Sequence, residues 1–225
     1  MRSLGNLIPF WPAPALKSNL KKKTRITRGH GNRWCALRAE PLEERAMLSI
    51  TTATWANGNL TLVGDAGNDT VIIAKAQASA AVTINSNSVF TLNGTTSNNH
   101  ALSFVNRLTL RLNDGNDSAT LNGLHLTSTS VDLGSASSNQ VASIQGSTTG
   151  PLTIKSAGSG NTNVSLNNVV SKTTLIDTGD GNDTLAIGAG GGFRTTGNLT
   201  IRTDGGQDLV DVAIGGIGTN VGGNL

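Results

Sequence analysis

The amino-acid sequence predicts an all-β protein, a parallel β-helix (solenoid) of about seven coils that follows a basic N-terminal segment. Three observations predict this fold. A short apolar motif recurs about every 23 residues, turns rich in Gly, Asn and Asp follow it, and aromatic residues make up only 3% of the chain. Because so few aromatic side chains cannot fill a wide core, the composition favours narrow stacked coils.

Residues 1–50 differ from the rest of the chain in charge. They hold ten Lys and Arg against three Glu, a net charge of +7, whereas residues 51–225 hold seven basic residues and eleven Asp, a net charge of −4. The formal charge of +3 for the whole chain therefore averages a basic tail and an acidic body. We predict a targeting segment at 1–50, disordered or partly helical, and a repeat domain at 51–225.

The apolar stretch at residues 4–16 does not predict a transmembrane segment. Pro9, Pro12 and Pro14 interrupt it, and it is shorter than the roughly 20 apolar residues that span a bilayer. The basic cluster at 21–28 follows this stretch, which is the reverse of the order in an ordinary signal peptide. Clustered Lys and Arg also suit nucleic acid or anionic lipid, but we favour targeting and expect no nucleic-acid partner.

The basic segment ends in Ala39-Glu40-Pro41-Leu42-Glu43-Glu44-Arg45-Ala46-Met47-Leu48-Ser49. This stretch resembles the planctomycete LEPR-xLL sorting motif, which lies near the N-terminus of large exported or surface proteins. Ala39 and Met47 stand where that family has Leu. The resemblance implies export, and hence a secreted or cell-surface location. The same residues also suit a short helix that begins near Pro41, with Leu42 and Met47 capping the solenoid.

The repeat reads x-Leu-Thr-(Leu/Ile)-x in its clearest copies. Seven copies, four clear and three weak, are predicted to start at Leu60, Val82, Leu108, Val131, Leu152, Thr174 and Leu199. Alternating apolar and polar residues predict strands whose second and fourth positions point inward. Since one strand-turn-strand unit cannot bury its apolar face alone, stacked units with parallel strands are expected.

Turns rich in Gly, Asn and Asp follow four of these strands, at 64–69, 113–117, 179–183 and 204–208. Gly and Asn are expected to supply positive φ angles there. At the other end, residues 223–225 repeat the Gly-Asn-Leu that opens coils at 58–60 and 197–199. We therefore predict a solenoid without a C-terminal cap, whose unpaired end permits self-association.

The turns also resemble the nonapeptide of hemolysin-type (RTX) calcium-binding proteins, Gly-Gly-x-Gly-x-Asp-x-U-x, most clearly at residues 64–72. That resemblance implies Ca²⁺ bound between adjacent turns, with Asp69, Asp117, Asp183 and Asp208 as ligands. Here the turns recur once per coil, so neighbouring coils must share each ion, and only Asp183 and Asp208 are expected on successive coils. Alternatively, Asn and Asp serve the turns through hydrogen bonds to their own backbone.

The remaining residues do not predict a catalytic site. The body contains no Glu, Cys35 is the single cysteine, and His30, His100 and His125 have no carboxylate at motif spacing. At the fifth strand position, Lys155, Asp177 and Arg202 are expected to stack as a charged ladder, either a shallow site for an acidic glycan or ordinary surface charge. We predict a non-enzymatic structural or adhesive protein that contacts surface glycan, matrix or itself; the alternative is a β-helix that binds or cleaves polysaccharide.

Overall fold

The computed structural model describes residues 50–135, 137–213 and 220–221, all within the second of the two units into which the chain divides, Glu44–Leu225. The basic segment, the sorting motif and residues 223–225 lie outside the described residues. Strands β1 to β10 are Ile50–Ala56, Asn59–Gly64, Thr70–Lys75, Val82–Leu92, Thr95–Leu102, Arg107–Arg111, Ser118–Asn122, His125–Leu126, Ser128–Asp132 and Gln140–Gln145. Strands β11 to β20 are Thr148–Thr149, Pro151–Lys155, Thr162–Asn167, Val169–Ser171, Thr173–Asp177, Thr184–Ile187, Phe193–Thr195, Leu199–Arg202, Leu209–Val212 and Asn220–Val221.

The strands form three sheets, and each coil after the first passes through them in turn. Sheet 1 contains β2, β6, β9, β12, β15 and β18, and sheet 2 contains β3, β7, β10, β13, β16 and β19. Sheet 3 contains β8, β11, β14, β17 and β20. Neighbouring strands along each series are parallel and in register. The predicted all-β parallel solenoid is therefore confirmed, with about five turns. No described helix is long and apolar enough to span a membrane.

The prediction of about seven coils was too high, because the copy at Val82 is not a coil. It lies in β4, which is antiparallel to both β3 and β5. Asn93 and Gly94, at φ 52° and 79°, form the tight turn between β4 and β5. Alternation of apolar and polar residues describes a strand in either direction, so the pattern at Val82 did not distinguish a hairpin from a coil.

The copy placed at Val131 was out of register by two residues. The strand register sets Thr129, not Val131, beside Leu108 and Leu152, and it sets Val131 beside Leu110. Thr129 was missed because it is a polar residue at an inward position. Its buried hydroxyl lies 2.9 Å from that of Thr149, so the two satisfy each other within the core.

The core consists of rows of inward-facing side chains that stack along the solenoid. In sheet 1 the buried residues of the second and fourth positions include Leu60, Leu62, Leu108, Leu110, Val131, Leu152, Ile154, Ile176 and Leu199. Sheet 2 contributes Val71, Ile73, Ala119, Leu121, Ala142, Ile144, Val164, Leu166, Leu185 and Ile187. These rows confirm that the second and fourth positions point inward, and they supply the apolar burial that holds the coils together.

Antiparallel strands cover the first coil. Strand β1 pairs with β2, and the β4–β5 hairpin extends sheet 2 beyond β3. The Trp55 indole N–H donates to the carbonyl of Phe104 at 3.0 Å, and the two rings meet edge to face at 5.7 Å. At the other end, in the part of the chain described, no strand pairs with the outer edge of β18 or β19.

Candidate functional site

The four predicted calcium ligands lie in one column at the corner between sheets 1 and 2. The column lies where the strands of sheet 2 begin: each Asp immediately precedes its strand, whereas Gln140 and Thr162 are the first residues of theirs. The register of that sheet stacks them. From the first coil to the last, the column consists of Asp69, Asp117, Gln140, Thr162, Asp183 and Asp208. The structure thus brings the four carboxylates to one side of the solenoid, in two pairs separated by Gln140 and Thr162.

One expectation about this column was wrong. Asp183 and Asp208 lie on successive coils as predicted, but so do Asp69 and Asp117. Asp117 follows Asp69 by 48 positions in the sequence, enough for two coils. The β4–β5 hairpin accounts for the excess, because its residues leave the solenoid and return without completing a coil.

The column carboxylates accept hydrogen bonds from backbone N–H groups of the preceding coil. Asp117 Oδ1 accepts from the N–H of Asp69 at 2.8 Å, and Asp208 Oδ1 accepts from the N–H of Asp183 at 3.0 Å. Asp183 Oδ1 in turn accepts from the N–H of Thr162 at 2.8 Å. These N–H groups lie where the strands of sheet 2 begin, and the carboxylates of the next coil satisfy them there.

A second column lies one residue earlier in each coil. Its side-chain oxygens also accept hydrogen bonds from backbone N–H groups, but from the following coil instead of the preceding one. It consists of Asn68, Asn116, Asn139, Asn161, Asn182 and Gln207. The side-chain oxygens of Asn68, Asn116, Asn161 and Asn182 accept from the backbone N–H of the following coil, at 2.8, 2.8, 2.9 and 2.8 Å. Sequence reasoning missed this column, although an amide precedes every column residue from Asp69 to Asp208.

Several turn positions have the predicted backbone geometry. Gly115, Gly181 and Gly206 occupy equivalent places in their turns, with φ of 133°, 127° and 139°. Asn113 and Gly179 also have positive φ. The turn at 64–69 differs, since its glycines are not in the left-handed region. The prediction of positive φ therefore holds in three of the four turns.

Burial changes the acidity of two column carboxylates. Burial, helped by the nearby carboxylates of Asp69, Asp65 and Asp114 and opposed by the Asp69 N–H, raises the pKa of Asp117 to about 7. Asp117 Oδ2 is buried without a hydrogen-bond partner in the described residues. Burial also raises the pKa of Asp183, against the lowering effect of its bonds to Thr178 and Thr162.

The chemistry of the column meets only part of what Ca²⁺ requires. Asp117 offers a buried oxygen that a cation would satisfy. Ca²⁺ takes about six to eight oxygen ligands, however, and one oxygen of each of Asp117, Asp183 and Asp208 already accepts a backbone N–H. Among the described residues, no group of three or more His, Cys, Asp and Glu is arranged to hold a metal ion.

The charged ladder lies on the outer face of sheet 1 and is longer than predicted. Strand register stacks Arg111, Asp132, Lys155, Asp177 and Arg202. Asp132 was missed because the strand copy predicted at Val131 was out of register by two residues. Charges alternate in sign along the ladder, and Arg202 approaches Asp177 at 3.9 Å. Such alternation favours mutual neutralisation at the surface.

The described histidines lie apart. His100, in β5, is buried against Phe90, with ring centroids 4.4 Å apart, and its Nε2 lies 3.2 Å from the Phe90 carbonyl. His125, in β8, is exposed. His30 and Cys35 lie outside the described residues.

Comparison with models of known protein families, with curated proteins and with solved structures found no match.

Proposed function

We propose that the chain is an exported, non-enzymatic protein of a bacterial cell surface or extracellular matrix, in which the solenoid acts as a structural or adhesive scaffold. The observation that carries the proposal is the use of the corner Asn and Asp side chains. They hold backbone N–H groups of neighbouring coils, which is the role expected of structural residues in a rod whose faces make the contacts.

The outer face of sheet 2 supports the same conclusion. The two main rows of outward-facing side chains consist mostly of small or uncharged residues, and Asp211 is the one charged residue in these rows. They are Thr70, Ser118, Val141, Asn163, Thr184 and Leu209, and Ile72, Thr120, Ser143, Ser165, Ala186 and Asp211. A lyase or hydrolase would instead need carboxylates or basic groups grouped around its substrate. A flat face of this composition suits contact with glycan or matrix.

Two experiments on the full-length chain test this proposal. With a C-terminal epitope tag, the protein is expected in the medium or accessible to external protease on intact cells. The double substitution Glu40→Ala and Pro41→Ala is expected to retain it inside, whereas Lys21→Ala serves as a control in the same segment. Retention of the unsubstituted protein in the cytoplasm contradicts the proposal.

The enzymatic alternative has its own readout. Incubation with acidic polysaccharides is expected to leave the absorbance of unsaturated uronate and the reducing ends unchanged. Growth of either signal, lost in a catalytically impaired variant, would establish the β-helix lyase or hydrolase instead.

A calcium-organised module is the second candidate function. It is favoured by the buried Asp117 Oδ2 and by the two Asp pairs on successive coils. In this version Asp69, Asp117, Asp183 and Asp208 bind Ca²⁺ outside the cell, and the solenoid becomes ordered on export. The two candidates differ in whether the fold requires the metal.

A further inference from the structure

The first coil leaves a gap on the third side of the solenoid. Sheet 3 begins only with β8 of the second coil, because the chain between β3 and β6 forms the β4–β5 hairpin instead of a sheet 3 strand. The two ends of this insertion, at 76–82 and 103–106, therefore lie next to β8. Among the described coils, this is where the chain departs most from its regular path.

A cleft fills the gap. It has two parts, of about 560 Å³ and 180 Å³, and Lys75 and His125 line both. Gln77 and Asn122 line the larger part, while Phe104 and Asn106 line the smaller. The cleft thus combines two basic groups, three amides and an aromatic ring.

The charge of the cleft differs from that of the surrounding body. Residues 51–225 carry a net charge of −4, yet none of the residues that line the two parts is acidic. In the described ranges Lys75 has no carboxylate within ion-pair distance, since the ion pair found there joins Arg202 and Asp177. The ammonium group is available to an external anion.

The aromatic member is also available. Phe104 is 45% exposed although its neighbour Val105 is buried, and its ring is held edge to face against Trp55. A ring fixed in this way offers an apolar surface to the C–H face of a sugar, while amides bind hydroxyl groups and basic side chains bind carboxylate or sulfate.

We propose that this cleft binds an acidic saccharide unit of the glycan that the scaffold contacts, with Lys75 and His125 on the anionic group, Asn122 on ring hydroxyls and Phe104 against the sugar face. The inference rests on the proposed function and names the glycan class. Uronate and sulfated sugars share the required chemistry, so both are used as probes.

Titration calorimetry of the full-length chain tests the site, with oligogalacturonate, a sulfated galactan oligomer and a neutral cello-oligomer as probes. One or both acidic oligomers are expected to bind, more weakly as salt is added, and the neutral oligomer at least tenfold more weakly. His125→Gln, Lys75→Gln and Phe104→Ala are each expected to raise the Kd about tenfold or more, with unchanged far-UV circular dichroism. Lys172→Gln, at an exposed residue that lines neither part of the cleft, is the matched control.

Three results would overturn the inference: no binding of either acidic oligomer, equal binding by wild type and the cleft variants, or binding of free acetate and sulfate as tight as that of the oligomers. None of these concerns export, so surface localisation with a failed titration would reject the cleft and leave the scaffold standing.

Discussion

Asp117 occupies a position where ionisation opposes folding. Its side chain is 1% exposed and burial raises its pKa from 3.8 to about 7. The folded state therefore keeps a proton that the unfolded chain loses between about pH 4 and pH 7. Because the folded state binds more protons in this window, the free energy of unfolding falls as the pH rises through it and levels off above pH 7.

Asp117→Asn should remove most of this pH dependence. The substitution retains an oxygen for the Asp69 N–H and cannot ionise, so we expect stabilisation of about 1 to 3 kcal/mol above pH 7 and little change near pH 4. Denaturant unfolding across this pH range measures the effect. Asp211→Asn, an exposed acid on β19, should follow the wild-type profile; equal pH dependence in Asp117→Asn and wild type would refute the burial argument.

Substitution of Asn161 tests whether the column of side-chain amides stabilises the fold. Its side-chain oxygen accepts the N–H of Asn182 at 2.9 Å, so Asn161→Ala should destabilise the fold by about 0.5 to 1.5 kcal/mol. Asn163, two residues later, is equally exposed but lies on the outer face of β13. Asn163→Ala should be close to neutral in the same unfolding measurement, and equal losses in the two variants would argue against the column.

At the scale of the element, the turns limit which residues can replace glycine. Gly181 has φ of 127°, and a Cβ there would lie 2.5 Å from the carbonyl oxygen of Gly160 on the preceding coil. Gly94, in the β4–β5 turn, has φ of 79° but nothing within 4 Å of a Cβ. Alanine at either site meets backbone strain, and at Gly181 it also meets a backbone atom that cannot easily move.

Gly181→Ala should therefore cost more than Gly94→Ala. We expect about 1 kcal/mol for Gly94→Ala from strain alone, and a further 1 to 3 kcal/mol for Gly181→Ala from the steric conflict. Thermal unfolding of the two variants beside wild type gives the comparison. A smaller loss in Gly181→Ala would show that adjacent coils can separate at this corner.

The elements also show what could be predicted from sequence. Copies at Leu60, Leu108, Leu152 and Leu199 predicted sheet 1 correctly because apolar residues hold both inward positions. The pattern failed at Thr129, because a hydrogen-bonded hydroxyl takes the place of an apolar side chain at this inward position. It also failed at Val82, because alternation of apolar and polar residues does not distinguish a parallel from an antiparallel strand. The four carboxylates were identified from the sequence as candidate ligands, but the adjacency of Asp69 and Asp117 depended on recognising the hairpin.

The cleft lay beyond sequence reasoning for a related reason. Lys75, Phe104 and His125 come together only because the hairpin takes the place of a sheet 3 strand. Their separation along the chain follows no repeat period, and each has an ordinary sequence context. The sequence around each of these residues therefore did not indicate that the three lie close together.

At the scale of the whole molecule, the last described coil offers a surface for self-association. Val210 stacks on the buried Leu185 yet is 42% exposed, since no further strand of the described chain covers it. Association of copies through this edge would bury it and pair the free backbone groups. Sedimentation velocity should then show concentration-dependent association that Val210→Lys reduces. Val141→Lys, at a 38% exposed residue on the flat face of β10, is the control; equal association in both variants would place the contact elsewhere.

We expect the solenoid to fold without a metal, because corner Asn and Asp side chains accept hydrogen bonds from backbone N–H groups of neighbouring coils. Far-UV circular dichroism and thermal melting of the full-length chain test it, in Ca²⁺ and in chelator, above the Asp117 pKa of about 7 so that its carboxylate is ionised. The same β spectrum and the same melting midpoint are expected in both conditions. A β signal or midpoint that rises with Ca²⁺, and loses that rise in Asp183→Ala and Asp208→Ala but not in Asp211→Ala, would contradict it and establish the calcium-organised module.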